Sequence, residues 1–256
     1  MAIPSFDLSG RVALVTGGSK GLGKAMAMGF AQAGADIVIC SRHEEELQAA
    51  LLDIMEDSDS RGAYCVTDMN NRRDVRKLAD FALTDMGHVA ILVNKSGSNV
   101  PQELDAITDE SWDRHLELNL SSCMALGRAL VPHMKQRKWG RIIYISSIMA
   151  LGSKAGRSVY SGTKAALVGM ARAQALELGR FGITVNCLAP WPFLTDLPAS
   201  ILSEKEQQVF AERTAVKRWG DPKELAGPAL LLASEAGSYI TGETLVVDGG
   251  TVCSVF

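Results

Sequence analysis

Seven short runs of β-branched and aliphatic residues recur along the chain, and all but the last precede a stretch long enough for a helix. RVALVTG (11–17), DIVICS (36–41), GAYCVTD (62–68), HVAILVN (88–94), GRIIYISS (140–147), GITVNCLA (182–189) and GETLVVDGG (242–250) read as strands. Helices are expected over 21–35, from Glu44 to about Glu56, over 73–86, from Asp109 to Arg137, and from the SVYSGTK stretch (158–164) to about Arg180. A final helix opens with Asp221 as N-cap, Pro222 at the first helical position and Glu224 reaching back, the pattern of a capping box. Strands joined by helix-length connections cannot pair as hairpins, so they imply parallel crossovers. Several are apolar at every position rather than at alternate ones, as in a sheet covered on both faces. The expected architecture is α/β: one doubly wound parallel sheet of about seven strands, a single domain over 1–256. The least regular segment, 190–220, follows the sixth strand. Loops beyond the carboxyl ends of such strands bind ligands, so this segment is the expected substrate lid.

Composition narrows the function classes. The net charge of −3 and the lack of a basic stripe argue against nucleic acid as a partner. The densest basic stretch, MKQRKWGR (134–141), fits a solvated helix C-terminus. Five cysteines, without C-x-x-C spacing and odd in number, read as reduced thiols, several within apolar runs. The N-terminus has neither the basic nor the apolar region of a signal peptide, and no apolar run reaches membrane-spanning length. The expectation is a cytoplasmic protein. The four histidines lack metal-ligand spacing, so no metal is assigned, and no G-x-S-x-G elbow follows a strand.

Two stretches carry chemistry. TGGSKGLG (16–23) lies between the first strand and the first helix, where Gly17, Gly21 and Gly23 let the backbone approach a pyrophosphate at the helix N-terminus. The second strand ends at Ser41-Arg42 with no acidic residue to accept ribose hydroxyls. Arg42 and Lys20 suit a 2'-phosphate instead, which points to NADP(H) in preference to NAD(H). In SVYSGTK, Tyr160 and Lys164 share one helical face, one turn apart. A carbonyl that receives hydride must also receive a proton, and a positioned phenol can donate it. A phenol titrates near 10, and a cation at roughly 4–5 Å is worth about 3–4 kcal/mol at an effective dielectric of about 20, enough to tune it toward neutrality.

TGxxxGxG after the first strand, Ser147-x12-Tyr160-x3-Lys164 after the fifth, and Asn119 in the long helix before it resemble the short-chain dehydrogenase/reductase family, over nearly the whole chain. The resemblance implies a Rossmann-type fold and a small-molecule ketone or secondary alcohol as substrate. It implies Tyr160 as acid/base, Lys164 as its activator, Ser147 holding the substrate oxygen and Asn119 completing a proton relay through water. It implies a cofactor lying against Gly17, Ser19, Lys20, Gly21, Leu22 and Gly23, then Ser41 and Arg42, Asp68 and Met69, Asn94 and Gly97, Tyr160 and Lys164, and Pro190 and Thr195. It also implies a homotetramer with interfaces on the long helices. The chain looks similar to gluconate 5-dehydrogenase-like and 3-oxoacyl-carrier-protein reductase-like members. Of the two basic residues with which the latter hold their acidic carrier, the matching positions keep only Lys138 and have Phe181 for the other, which weighs against the carrier role. Three further departures stand near the implied site. NKSG (94–97) replaces the usual Asn-Asn-Ala-Gly, Trp191 follows Pro190 where the family has glycine, and His115 is polar one turn before Asn119. Lys95 either backs the cofactor or points outward, and Trp191 is expected either to narrow the substrate pocket or to push the lid outward; if the two block the nicotinamide, the alternative is a non-catalytic dinucleotide-binding or scaffold protein of the same fold.

Overall fold

The computed structural model describes residues 5–195 and 202–253. In chain order the main elements are β1 (Val12–Thr16), α1 (Gly21–Gln32), β2 (Asp36–Ser41), α2 (Glu44–Met55), β3 (Gly62–Val66), α3 (Arg72–Asp85) and β4 (Ile91–Asn94). There follow α4 (Asp109–Leu116), a π turn (Glu117–Ser121), α5 (Ser122–Arg137), β5 (Gly140–Ile145), α6 (Ser158–Leu178) and β6 (Ile183–Pro190). The set closes with α7 (Glu204–Glu212), α8 (Lys223–Ala233) and β7 (Thr244–Val247). The seven strands form one parallel sheet in the order β3-β2-β1-β4-β5-β6-β7.

Side chains of successive strand residues point to opposite faces, and here both faces are dry. Val12 and Leu14 of β1 join Leu78 of α3, Leu126 of α5 and Leu167 of α6 in one layer. Ala13 and Val15 join Met26 and Phe30 of α1, Leu47 of α2 and Leu225 of α8 in the other. That is why the strands read as unbroken apolar runs.

Three sequence expectations change. The helix expected over 109–137 is broken by the π turn, which holds Asn119 at full burial. The segment 190–220 is not irregular throughout. Ser203 and Glu206 form a reciprocal capping box that starts α7; the Ser-x-x-Glu spacing was in the sequence to be read, while 196–201 lie outside the described residues. The basic stretch 134–141 is only partly solvated. It does end α5, with Lys138 in the left-handed region (φ 52°), but Arg141 is buried in β5. Its guanidinium stacks 4.2 Å from the Trp139 ring, which carries Arg11 at 3.9 Å. At 221–224 the expected capping is present in part: Glu224 Oε2 reaches back to accept from the Asp221 N–H, but Asp221 Oδ1 accepts from the Lys223 N–H and the helix begins at Lys223, one residue after Pro222.

Candidate active site

The strand order reverses between β1 and β4, so the connections leaving their carboxyl ends diverge and open a cleft. On one side lies the glycine loop. Gly17 has φ +65°, and a Cβ on Gly23 would stand 2.1 Å from the Gly17 oxygen, so the turn closes only with glycine there. α1 has no side-chain cap and no acidic residue in its first turn. Asn71, Thr108 and Ser203 cap α3, α4 and α7, while α2 and α6 start without a side-chain cap, as α1 does. What sets α1 apart is the glycine turn that leads into it, where backbone alone lines the approach to its first N–H groups and the helix dipole favours an anion. A dinucleotide diphosphate fits this cradle. Ser19 and Leu22 lie in the same turn, and Thr195 reaches it from beyond β6, its Cγ2 being 3.0 Å from the place of a Cβ on Gly21.

The residues expected along the adenosine end are less uniform. Ser41 and exposed Arg42 close β2, and among the described residues Arg42 forms no ion pair. Lys20 is held by Glu46 at 2.7 Å, so its charge is already shared. Asp68 accepts from the Asn70 N–H, whereas the Met69 side chain is buried in the core, leaving only its backbone to face a ligand. Asn94, at the end of β4, is buried with both amide atoms unpartnered among the described residues.

The reacting end is built on β5 and α6. Ser147 is extended just past β5, and its Oγ accepts from the Met149 N–H at 3.1 Å. Tyr160 and buried Lys164 project from the first turns of α6. The Lys164 ammonium donates to the Ile145 carbonyl at 2.7 Å and lies 5.6 Å from the Tyr160 ring centroid. Ser146 Oγ donates to the Lys164 carbonyl at 2.9 Å, tying helix to strand. Gly97 brings the β4 loop into the same place: a Cβ there would be 3.2 Å from Asn119 Oδ1 and 3.4 Å from Lys164 Nζ.

Asn119 is fully engaged. Its Oδ1 accepts from the Ser98 N–H (2.9 Å), and its Nδ2 donates to the Ser98 carbonyl (3.0 Å) and to Thr163 Oγ1 (3.1 Å). The side chain clamps the β4 loop to α6. A second clamp was missed in the sequence. Thr16 Oγ1 accepts from the N–H groups of both Lys95 and Ser96 and donates to the Val93 carbonyl. The signal was the threonine of TGxxxGxG itself, whose partners lie 79 and 80 residues away.

Electrostatics depart from the simple pair. Burial pushes the Lys164 ammonium down to about 8; the Lys95 cation adds to this, and the Cys123 and Cys187 thiols oppose it. Burial also lifts the Tyr160 phenol above its ordinary value, while the Ser147 hydroxyl and the Arg157 cation pull it back. Arg157 was also missed, although it stands three residues before Tyr160; its Nη1 donates to Asn99 at 2.5 Å.

The wall beyond β6 is aromatic. Trp191, directly after β6, meets Phe210 edge-on at 5.7 Å, and Phe210 meets Trp219 at 5.5 Å. Behind Trp191 a cavity of about 210 Å³ is lined by residues including Phe193, Arg218, Gly220 and Asp248. His115 is buried, with Nδ1 on the Ser111 carbonyl at 2.6 Å and Nε2 unpartnered among the described residues. Phe181, where one carrier-binding charge is lost, has Lys135 and Arg180 each 4.8 Å from its ring, so the position keeps positive charge around it.

The family model described as enoyl-(acyl carrier protein) reductase matches residues 17–252. The chain belongs to the short-chain dehydrogenase/reductase family. As a member it is an oxidoreductase with a Rossmann-like sheet. It is 37% identical over 245 residues to the 3-oxoacyl-[acyl-carrier-protein] reductase FabG of Vibrio cholerae, covering 95% of this chain and 98% of that one. A gluconate 5-dehydrogenase from Burkholderia cenocepacia, solved with NADP and tartrate, superposes with a TM-score of 0.91 at 33% identity and full coverage of both chains. A 7α-hydroxysteroid dehydrogenase, solved with NADH and 7-oxo glycochenodeoxycholic acid, gives 0.91 at 32% identity, covering 96% and 95%. Members this similar thus carry either dinucleotide. Among the described residues of this short-chain dehydrogenase/reductase, no helix is long and apolar enough to cross a membrane.

Proposed function

We propose that this short-chain dehydrogenase/reductase is an NADP(H)-dependent carbonyl reductase or alcohol dehydrogenase acting on a ketone or secondary alcohol. The observation that carries the reading is the convergence of Ser147, Tyr160 and Lys164 at the end of β5, in the cleft that begins at the uncapped N-terminus of α1. A nicotinamide dinucleotide bound along the cleft supplies or accepts the hydride. Ser147 Oγ holds the substrate oxygen, and the Tyr160 hydroxyl gives it a proton during reduction and removes one during oxidation.

The raised phenol suits reduction. It stays protonated at neutral pH, and a developing alkoxide is more basic still, so proton donation runs downhill. Oxidation needs the phenolate. The Lys164 cation, 5.6 Å from the ring centroid, favours it, and so does Arg157. Asn119 acts as a positioning residue that holds Ser98 against Thr163. Preference for NADP(H) rests on Arg42, since Lys20 is shared with Glu46. Exposed Trp112 and Met124 on α4 and α5, and Leu176 on α6, support a homotetramer joined through the long helices.

The test is Tyr160→Phe. Turnover of NADPH with a panel of ketones is expected to fall by at least about a thousandfold, with NADPH affinity changed less than about threefold. Unchanged turnover would remove Tyr160 from the chemistry. NADPH binding without turnover of any ketone or alcohol in the wild type would leave a dinucleotide-binding protein.

A further inference from the structure

Lys95 stands where the family carries asparagine, and it turns inward. Its backbone is pinned by Thr16 Oγ1. Its stem crosses the first glycine of the phosphate loop, with Cδ 3.1 Å from the place of a Cβ on Gly17. The side chain is half-buried at the border of the cleft. Among the described residues its ammonium has no ion pair and no hydrogen bond. Burial weakens its hold on the proton, and Lys164 feels its charge.

Two ammonium groups thus lie within each other's field, and among the described residues neither is paired with a carboxylate; such an arrangement is unfavourable unless an anion joins it. The neighbouring lysines of the glycine-loop side are already neutralised, Lys20 by Glu46 and Lys24 by Asp53. The unfilled N–H groups of α1 belong to the same loop that Lys95 lies against. The two features call for the same ligand chemistry, a compact dianion.

We propose that Lys95 is an additional ligand of the cofactor's diphosphate, giving this chain a side-chain cation where backbone N–H groups and the helix dipole otherwise act alone. The inference rests on the reading of the cleft as a dinucleotide site. It makes the diphosphate, rather than the adenosine or its 2'-phosphate, the part of the cofactor that Lys95 recognises. Arginine at this position keeps the charge, while methionine keeps the stem and removes it.

The experiment compares the wild type with Lys95→Met, Lys95→Asn and Lys95→Arg by calorimetric titration with NADPH, with ADP-ribose and with adenosine 2'-monophosphate, which lacks a diphosphate. The expected result is that Lys95→Met and Lys95→Asn weaken NADPH and ADP-ribose by the same roughly ten- to hundredfold factor. Adenosine 2'-monophosphate should stay within about twofold, Lys95→Arg should restore most of the loss, and the remaining affinity should depend less on salt. Unchanged or tighter binding of both diphosphate ligands to Lys95→Met and Lys95→Asn would overturn the proposal and make Lys95 an obstruction. A wild type that binds neither NADPH nor ADP-ribose would sink the dinucleotide reading itself, a result distinct from any pattern among the variants. Two variants of different polarity, each checked by thermal melt, keep a folding defect from posing as a binding defect.

Discussion

The two sides of the cleft are built on different principles. On the glycine-loop side, function is carried by backbone: the turn after β1, the bare first turn of α1 and the Thr16 clamp, all fixed by short-range geometry and the β1–β4 ladder. On the Trp191 side it is carried by side chains. Trp191, Phe210 and Trp219 come from a strand end, a helix and a loop, and touch only through ring edges and tilted faces. The first design tolerates almost no substitution at its glycines, and the second can be recut without disturbing the sheet. A family whose members use one cofactor chemistry on many substrates needs such an asymmetry.

Several experiments would sharpen or break that contrast. The largest effect is expected from Gly23→Val, because its Cβ would collide with the Gly17 oxygen at 2.1 Å. Dinucleotide binding should fall by more than about a hundredfold, or the protein should fail to accumulate in soluble form. Normal NADPH titration by that variant would show that the loop is not the cradle.

Next comes Lys164→Met, where function and stability should part. The Lys164 pKa is depressed in the folded protein, so the folded state binds fewer protons than the unfolded one between about 8 and the ordinary value of 10.5. The wild type should therefore gain stability as pH rises through that window, and charged Lys164 is a burden below it. Lys164→Met is expected to lose most turnover yet melt at a higher temperature at pH 7, by roughly 1–3 kcal/mol of added stability. A lower melting temperature would mean that the hydrogen bond to Ile145 outweighs the desolvation.

Arg42→Ala should weaken NADPH by about tenfold and NADH by less than about twofold. Equal losses would remove the 2'-phosphate preference. The smallest effect is expected from Trp191→Gly, which restores the family residue. KM for bulky ketones should drop several-fold, with NADPH affinity and melting temperature nearly unchanged. A large loss of stability there would erase the contrast between the two walls.

The same contrast explains what could be read in advance. The seven strands, the glycine turn, and the Ser147, Tyr160 and Lys164 set were legible because each depends on local pattern: apolar runs, glycine spacing, residues one helical turn apart. What was missed depends on distance. Thr16 meets Lys95 and Ser96 across the sheet, and Arg141 is buried by Trp139 and Ser234, although its neighbours in sequence are basic. The clamp role of Asn119 follows from Ser98 and Thr163, 21 and 44 residues away. The raised phenol was out of reach for another reason. Sequence spacing gives the distance to a cation but not the depth of burial, and here burial prevails.

The π turn at Glu117–Ser121 carries a consequence for insertions and deletions in this stretch. An ordinary helix turns by about 100° per residue and a π turn by less, so five residues of the π turn cover about the rotation of four helical ones, and α4 and α5 stay nearly in phase around the extra residue. Removing one residue there would not simply shorten the helix. It would let the stretch close as an ordinary α-helical turn, remove the bulge in which Asn119 is held, and unfasten the β4 loop from α6 while leaving every helical hydrogen bond available. The length of this segment is therefore under tighter constraint than most of its side chains.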